Sequence, residues 1–244
     1  NRDFEYSPND IGREENWTAT NSWSTGGEGL SFDIDTVAPL HAHNPHYAVL
    51  DIKEKGHGLV NDGFDGIPVK AGEKYDFSVF ARSTSNKRGK IIVRLLDEDG
   101  KVIGEARTGK ISKTWNKLTA VVKATGSAVN GCIEVIPDME GEVNLDMVSL
   151  FPQKTFKNRK NGMRADLAQA IADIRPRFVR FPGGCVAHGN GLDNIYRWEN
   201  TIGPLESRKP LRNLWGYHQN MGLGYYEYFL FCEDIGAEPL PVVE

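Results

Sequence analysis

The feature that most constrains the fold of this chain is a change of hydrophobic period near Pro152. Before it, apolar and polar residues alternate in short segments, and turn residues such as those of Asp97-Glu98-Asp99-Gly100 separate the segments. The clearest alternating segments are Tyr47–Lys53, Lys74–Arg82, Ile91–Leu96, Trp115–Lys123, Cys132–Ile136 and Val143–Leu150. Alternation places every second side chain on one face of a strand. Residues 1–152 are therefore predicted to form an antiparallel β-sandwich or jelly roll.

After Pro152 the period becomes helical. Apolar residues at helical spacing share one face of a predicted helix over residues 166–174, namely Leu167, Ile171 and Ile174. The further predicted elements are a strand at Arg177–Phe181, a helix at Tyr225–Ile235 that Gly236 ends, and a strand at Glu238–Val243. This order is typical of a parallel α/β fold. Two strands and two helices cannot close a barrel of roughly 250 residues, so residues 153–244 are predicted to be an incomplete, TIM-barrel-derived segment.

Composition argues against several classes of function. The 244 residues carry a formal net charge of −4, which offers no electrostatic reason for binding nucleic acid or an anionic membrane. No apolar run approaches the roughly 18–20 residues that span a bilayer. Cys132, Cys185 and Cys232 lie far apart without a CxxC pair, so no disulfide framework is expected. No leader is recognisable, and the first residues read like the interior of a longer sequence.

The stretch Arg180-Phe181-Pro182-Gly183-Gly184-Cys185 is the most informative for chemistry. Ligands of parallel α/β proteins meet the carboxyl ends of strands, and Arg180 falls at such an end. Pro182 and the two glycines predict a sharp turn with room for a ligand. An arginine there can offer several fixed donors to hydroxyls or carboxylates. The alternative from the residues alone is a strand-end turn with Arg180 in an ion pair.

Together with three later motifs, this stretch resembles the glycoside hydrolase family 51 α-L-arabinofuranosidases. The motifs are Tyr196–Pro204, Gly222–Tyr228 and Cys232–Leu240, which follow in the family's order. The resemblance implies that Arg180 and Cys185 line the pocket for a terminal arabinofuranose, and that Trp215 packs near the substrate. An aromatic ring suits the faintly apolar C–H face of a sugar.

The resemblance also implies a retaining double displacement. One carboxylic acid protonates the leaving oxygen, and a second carboxylate about 5 Å away forms a covalent glycosyl intermediate. In the family both glutamates lie on later barrel strands, so we assign no catalytic residue in this chain and expect it to be inactive alone. The glutamates present after the motif are interpreted as capping, paired or solvent-facing residues: Glu199, Glu206, Glu233, Glu238 and Glu244.

The first part resembles carbohydrate-binding modules of the family 4/9 type, inserted into the polypeptide of the barrel. The motifs that carry this similarity are Phe64–Ile67, Gly72–Arg82, Thr114–Lys117 and Leu145–Phe151. Such modules stack exposed aromatic rings on sugars, which makes Trp17, Trp23 and Tyr47 candidate stacking residues. Trp115, at the start of a strand, is predicted to pack in the core. A spacer that has lost ligand binding fits the same pattern.

Metal ligands are not predicted. The run His41-Ala42-His43-Asn44-Pro45-His46 lacks a cysteine or carboxylate at helical spacing, and Asn-Pro marks a turn, so a polar loop is expected. The resemblance requires no cofactor. Modules of this type often hold a structural calcium with oxygen ligands, which the Asp and Glu content permits.

Three interpretations stay open at this point. The first is part of an exo-acting α-L-arabinofuranosidase, whose partners would be arabinose-containing polysaccharides or oligosaccharides and whose location would be periplasmic or secreted. The second is a non-catalytic carbohydrate-binding or structural module, and the third is an unrelated α/β enzyme. A partial barrel leaves an apolar face uncovered. We expect residues 153–244 to pack against the sandwich, to self-associate as a homo-oligomer, or to be poorly ordered.

Overall fold

A computed structural model describes residues 1–7 and 18–243. Within these residues, the first part of the chain forms two antiparallel sheets. One sheet contains, in spatial order, β1 (Trp23–Thr25), β4 (Leu59–Asn61), β10 (Ala128–Pro137), β7 (Lys90–Leu96) and β8 (Val102–Lys110), and β5 (Ile67–Val69) also pairs with β10. The other contains β2 (Leu30–Asp35), β3 (Tyr47–Ile52), β11 (Gly141–Pro152), β6 (Lys74–Arg82) and β9 (Asn116–Lys123).

The core of the sandwich follows from the alternation in its strands. In β6 every second side chain is buried, from Tyr75 through Phe77 and Val79 to Ala81, and the residues between them are partly exposed. These side chains belong to one hydrophobic cluster with residues of the other sheet, such as Leu95 of β7. Burying one face of each sheet against the other is the stable solution for amphipathic strands. The predicted sandwich is confirmed.

The second part of the chain contains helices and a parallel strand pair. Its elements are α1 (Ala165–Ile174), β12 (Phe178–Phe181), α2 (Gly184–His188), β13 (Leu211–Arg212), β14 (His218–Gln219), α3 (Tyr225–Ile235) and β15 (Glu238–Pro241). Strands β12 and β15 pair in parallel, with Phe178 opposite Glu238. Helix α3 has the predicted bounds, and Gly236 ends it in the left-handed conformation with φ of 71°. The α/β character of this part is confirmed.

Helix α1 departs from the expectation in one respect. Its periodicity is as predicted, but the three side chains of its apolar face, Leu167, Ile171 and Ile174, are all exposed. Ala168 is the buried residue of the helix. The helix therefore has the predicted apolar face, but no other described residues cover it.

The chain divides into two compact units. The first contains Asn1–Glu5, Ala19–Leu40 and Pro45–Lys154, and the second contains His41–Asn44 and the chain from Thr155. The short His41–Asn44 loop, which follows β2 in sequence, thus belongs to the second unit. Among the described residues, no helix is both long and apolar enough to cross a membrane.

Candidate functional site

The end of strand β12 forms the turn that the motif predicts. Gly183 has a left-handed φ of 108°, and the short helix α2 begins at the next residue. The Arg180 guanidinium lies alongside this turn, because a Cβ atom on Gly183 would lie 3.5 Å from Nη1 and one on Gly184 would lie 3.4 Å from Nη2. Arg180 and Cys185 are both exposed. Within the described part of the chain Arg180 makes no ion pair, so its donors face solvent rather than a carboxylate.

A small aromatic core holds neighbours in sequence of the predicted pocket residues. It consists of buried Tyr196, Met221 and Tyr225, with Phe181, Val186 and Leu211 packed against them. Phe181 follows Arg180 directly, Val186 follows Cys185, and Leu211 lies on strand β13, close in sequence to Trp215. One cluster therefore anchors the strand end, the short helix and the hairpin that carry Arg180, Cys185 and Trp215.

Strands β13 and β14 form a hairpin with a rigid tip, which we call the aromatic hairpin (residues 211–219). At the tip the Asn213 side chain accepts hydrogen bonds from the backbone N–H groups of Trp215 and Tyr217, both at 3.0 Å. The backbone N–H of Asn213 also donates to the Tyr217 carbonyl at 3.0 Å. Trp215 is 53% exposed and Tyr217 is 42% exposed. Two large aromatic rings thus stand on a turn that a single side chain organises.

A second asparagine ties the aromatic hairpin to the turn after Cys185. The Asn194 side chain donates from Nδ2 to the Arg212 carbonyl at 2.9 Å and accepts the Asn190 N–H at Oδ1 at 3.0 Å. Gly189 has a φ of 58°, and a Cβ there would lie 2.0 Å from the Asn194 carbonyl oxygen. Glycine is therefore required where these two segments meet.

Arg208 is a buried arginine beside the candidate site that the sequence analysis did not single out. It is 3% exposed and donates to both carboxylate oxygens of Glu227, at 2.8 and 2.9 Å. It also donates twice to the Gly203 carbonyl, at 3.0 and 3.1 Å, and once to the Met221 carbonyl at 2.8 Å. Glu227 in turn accepts the Gly224 N–H at 2.9 Å, which caps helix α3. The available sequence signal was Glu227 itself, since an acidic residue three positions after the N-cap, here Gly224, is typical of a capped helix.

The Tyr228 side chain, next to the aromatic core, holds α3 against strand β12. Tyr228 donates its hydroxyl hydrogen to the Val179 carbonyl of β12 at 2.6 Å, and its ring stacks on Phe181 with the centroids 4.9 Å apart. Burial raises the pKa of Tyr196 and of Tyr228 to about 12. Both phenols therefore stay protonated at neutral pH.

The glutamates near the motif are exposed or partly buried where the structure describes them. Glu199, Glu233 and Glu238 are exposed, and Glu206 is half-buried. Glu244 lies outside the described residues. Glu227, which the sequence analysis did not single out, has both carboxylate oxygens engaged by Arg208.

The stacking residues predicted in the sandwich require correction. Trp23 is 8% exposed, and its indole N–H donates to the Asn1 carbonyl at 2.7 Å. Tyr47 is 2% exposed, and its hydroxyl donates to the Asp35 carboxylate at 2.8 Å. Stacking on a sugar needs an exposed ring face, so neither residue serves that role in this structure. Trp17 lies outside the described residues.

Trp115 packs on the sandwich but lies outside its core, which corrects the prediction. Its ring is half-buried, with the Arg82 guanidinium 4.7 Å from the ring centroid and the Tyr47 ring against its edge. Its indole N–H donates to the Ala38 carbonyl at 3.1 Å. With one face under a guanidinium, the ring is a part of the sandwich rather than a platform for ligand.

The structural calcium that the resemblance permits in the sandwich stays a prediction. Calcium takes six to eight oxygen ligands, and the most buried carboxylate, Asp146, lies near Asp3 and Glu5. Both Glu5 oxygens already pair with His46, one with its backbone N–H at 2.8 Å and one with its ring Nδ1 at 2.6 Å. Across residues 1–7 and 18–243, no group of three or more His, Cys, Asp or Glu side chains is placed to hold a metal.

The chain combines a β-sandwich with an α/β segment whose first strand ends at the candidate site. Residues 1–138 match the family described as a carbohydrate binding domain, and residues 170–244 match the one described as alpha-L-arabinofuranosidase 1 domain. An extracellular exo-alpha-L-arabinofuranosidase of Streptomyces chartreusis is 40% identical over 255 aligned residues, covering 100% of this chain and 29% of that protein. Alpha-L-arabinofuranosidase 1 of Arabidopsis thaliana is 36% identical over 193 residues, covering 76% of this chain and 27% of that protein.

A solved structure agrees with these similarities. The arabinose-bound α-L-arabinofuranosidase MgGH51 matches with a TM-score of 0.85 at 31% identity, covering 91% of this chain and 38% of that chain. The chain thus spans from 27% to 38% of the length of these relatives. It belongs to the carbohydrate binding domain family over residues 1–138, and as a whole it is homologous to the family 51 α-L-arabinofuranosidases. The predicted resemblance is confirmed, and an unrelated α/β enzyme is excluded.

Proposed function

We propose that the protein containing this chain is a retaining, exo-acting α-L-arabinofuranosidase. Its substrates are arabinan- or arabinoxylan-type hemicellulose and pectin side chains, from which it removes terminal arabinofuranose. The observation that carries the proposal is the aromatic core, because one cluster anchors the segments that bear Arg180, Cys185 and Trp215. The homology described above supports assigning these positions to an arabinose pocket.

The chemistry of the exposed groups suits a furanose. The Arg180 guanidinium offers fixed N–H donors at a strand end, where they can bind ring hydroxyls. The Trp215 ring, half-exposed on its rigid turn, offers a flat apolar surface to the C–H face of the sugar. Acid–base and nucleophilic roles belong to a pair of carboxylates about 5 Å apart. We assign neither of them to this chain, which we expect to bind without hydrolysing.

Activity is tested on the whole protein with an aryl α-L-arabinofuranoside and with arabinan. We expect arabinose release, with the first-formed product keeping the α configuration by proton NMR. Arg180→Met should lower kcat/KM on the order of 100-fold, since it removes donors to the substrate. Arg177→Met is the matched control, because Arg177 is another exposed arginine three residues earlier in the chain. Equal losses in the two variants would contradict the assigned role of Arg180.

The second candidate function is a carbohydrate-binding module without catalysis, which the family match over residues 1–138 favours. Isothermal titration of this chain with arabinan, arabinoxylan and arabino-oligosaccharides separates the two. Binding of long polymers that survives Arg180→Met would place a binding site in the sandwich. Binding of short arabino-oligosaccharides that this variant abolishes would place it at the strand-end site.

Secretion is part of the proposal. Polysaccharides of plant walls are extracellular, and the Streptomyces relative is named as an extracellular enzyme. Recovery of the native protein from the culture medium or periplasm of its source would support export. Recovery from the cytoplasm alone would contradict it.

A further inference from the structure

Arg208 reaches both ends of the segment that carries the aromatic hairpin. Its guanidinium bonds to the carbonyl of Gly203, before the hairpin, and to the carbonyl of Met221, after it. The ion pair with Glu227 fixes the same guanidinium to the first turn of helix α3. One buried side chain therefore closes residues 203–221 into a loop with a defined base.

The hairpin depends on this base for its position. Strands β13 and β14 have two residues each, and an isolated two-stranded hairpin is at best marginally stable in water. The turn geometry at Asn213 sets the shape of the tip but not its place in the unit. Its place comes from Leu211 in the aromatic core, from Asn194, and from the closed ends of the loop.

The His41–Asn44 loop reinforces the same base. Asn44 is 2% exposed, and its Nδ2 donates at 2.9 Å to the carbonyls of both Glu206 and Arg208. His43 Nδ1 lies 2.7 Å from the Ser207 carbonyl, so this nitrogen carries the proton. The polar loop that the sequence predicts here thus holds the backbone at residues 206–208.

We propose that Arg208 and Asn44 are positioning residues for the arabinose pocket, acting together as a hairpin clamp that sets where Trp215 stands. Neither residue touches substrate. The inference rests on the proposed function for its kinetic consequence, while the clamp itself is a property of the loop. Misplacing a substrate-contacting group by about 1 Å can cost on the order of 100-fold in rate, so the effect is measurable.

The kinetic test uses Arg208→Lys and Asn44→Ala in the whole protein. Lysine keeps the charge but cannot reproduce the five N–H bonds of the arginine fork. We expect KM for an aryl α-L-arabinofuranoside to rise roughly tenfold while kcat changes less, because a displaced Trp215 loses binding common to the ground and transition states. Arg159→Lys is the matched control, since Arg159 makes a bidentate pair with Asp234 in the same unit but at the surface.

A double-mutant cycle distinguishes positioning from general support. If Arg208 acts through Trp215, adding Arg208→Lys to Trp215→Ala should lower kcat/KM no further than Trp215→Ala alone. Equal factors in both backgrounds would overturn the proposal. Asn44→Ala keeps the proposal testable if Arg208→Lys does not fold, because this substitution removes two hydrogen bonds and no charge.

Hydrogen exchange on this chain tests the clamp without any activity. The backbone N–H groups of Trp215, Gly216 and Tyr217 should exchange faster in Arg208→Lys and Asn44→Ala than in the wild type, and unchanged in Arg159→Lys. Unchanged exchange in both clamp variants would overturn the clamp. A wild-type protein that releases no arabinose would overturn the proposed function instead, and the exchange data would still decide the clamp.

Discussion

Replacing Asp146 with asparagine is expected to stabilise the sandwich at neutral pH. Asp146 lies on β11 with no exposed surface. Its Oδ1 accepts the Met147 N–H at 2.6 Å, and its Oδ2 has no hydrogen-bond partner. Burial raises the pKa of Asp146 well above its ordinary value of 3.8, and the nearby acids Asp3 and Glu5 raise it further. Asparagine has the same shape, keeps the acceptor and places an amide donor near these carboxylates.

The direction of this change in stability follows from proton linkage. The folded pKa lies above the unfolded value of 3.8, so this carboxyl contributes its stability below pH 3.8 and loses it as pH rises through the folded pKa. Each pKa unit of difference corresponds to about 1.4 kcal/mol. A gain of about 1 kcal/mol raises Tm by roughly 2–4 °C in a protein of this size. The Tm of Asp146→Asn should equal that of the wild type near pH 3.5. At pH 7 it should be higher by at least about 2–4 °C.

Thermal unfolding followed by circular dichroism between pH 3.5 and 8 measures the effect. Asp33→Asn is the matched control, because the exposed Asp33 also accepts the N–H of the next residue, Ile34, at 2.8 Å. The control should change the free energy of unfolding by less than about 0.5 kcal/mol. A lower Tm for Asp146→Asn at pH 7 would refute the reasoning. So would a Tm that chelation with EDTA lowers in the wild type alone, since Asp146 would then be a cation ligand.

Three further outcomes follow from the described contacts. Gly224→Ala should destabilise the second unit by about 3 kcal/mol or more, measured by urea unfolding, because its Cβ would lie 1.9 Å from the Thr201 carbonyl oxygen and strain the start of α3. Cys185, which is exposed, should react with a thiol reagent at pH 8 well before Cys232, which is buried and whose pKa burial raises; equal rates would contradict the burial. Trp23→Phe should cost about 1 kcal/mol by thermal unfolding, since it removes a buried indole hydrogen bond; an unchanged Tm would show that bond to be without effect.

Periodicity predicted most of the long elements for a physical reason, but β2 with six residues and β8 with nine were missed, and in β8 buried and exposed residues do not alternate. Strand β6 alternates over nine residues and helix α3 runs for eleven, so each has enough repeats to reveal its period. Strands β4 and β5 have three residues each and were missed, because such short segments show no period of their own. The hairpin strands β13 and β14 were missed for the same reason, and the side chain that shapes their turn, Asn213, has no distinctive spacing.

The residues of the candidate site also differ in how far the sequence could predict them. Arg180 and Cys185 belong to a contiguous motif, and their neighbours Phe181 and Val186 pack against one core, while the pocket role of the two residues stays a prediction. Arg208 and Glu227 form their ion pair across 19 positions, and no local pattern joins them. Trp23 and Tyr47 were assigned to stacking by residue type. Each has an apolar ring and a polar group that bonds inside the protein, which suits burial as well as exposure.

Arg208 fixes the base of the aromatic hairpin, so the tip of the hairpin should tolerate changes of sequence. The bonds from Arg208 to the Gly203 and Met221 carbonyls do not involve residues 214–216, and doubling the length of a flexible loop costs only about 0.6 kcal/mol. Residues 214–216 can therefore lengthen, shorten or change composition without disturbing helix α3 or the strand end. For protein engineering, this is a natural graft point: libraries that vary only these residues should alter which sugars are preferred while the scaffold keeps its stability.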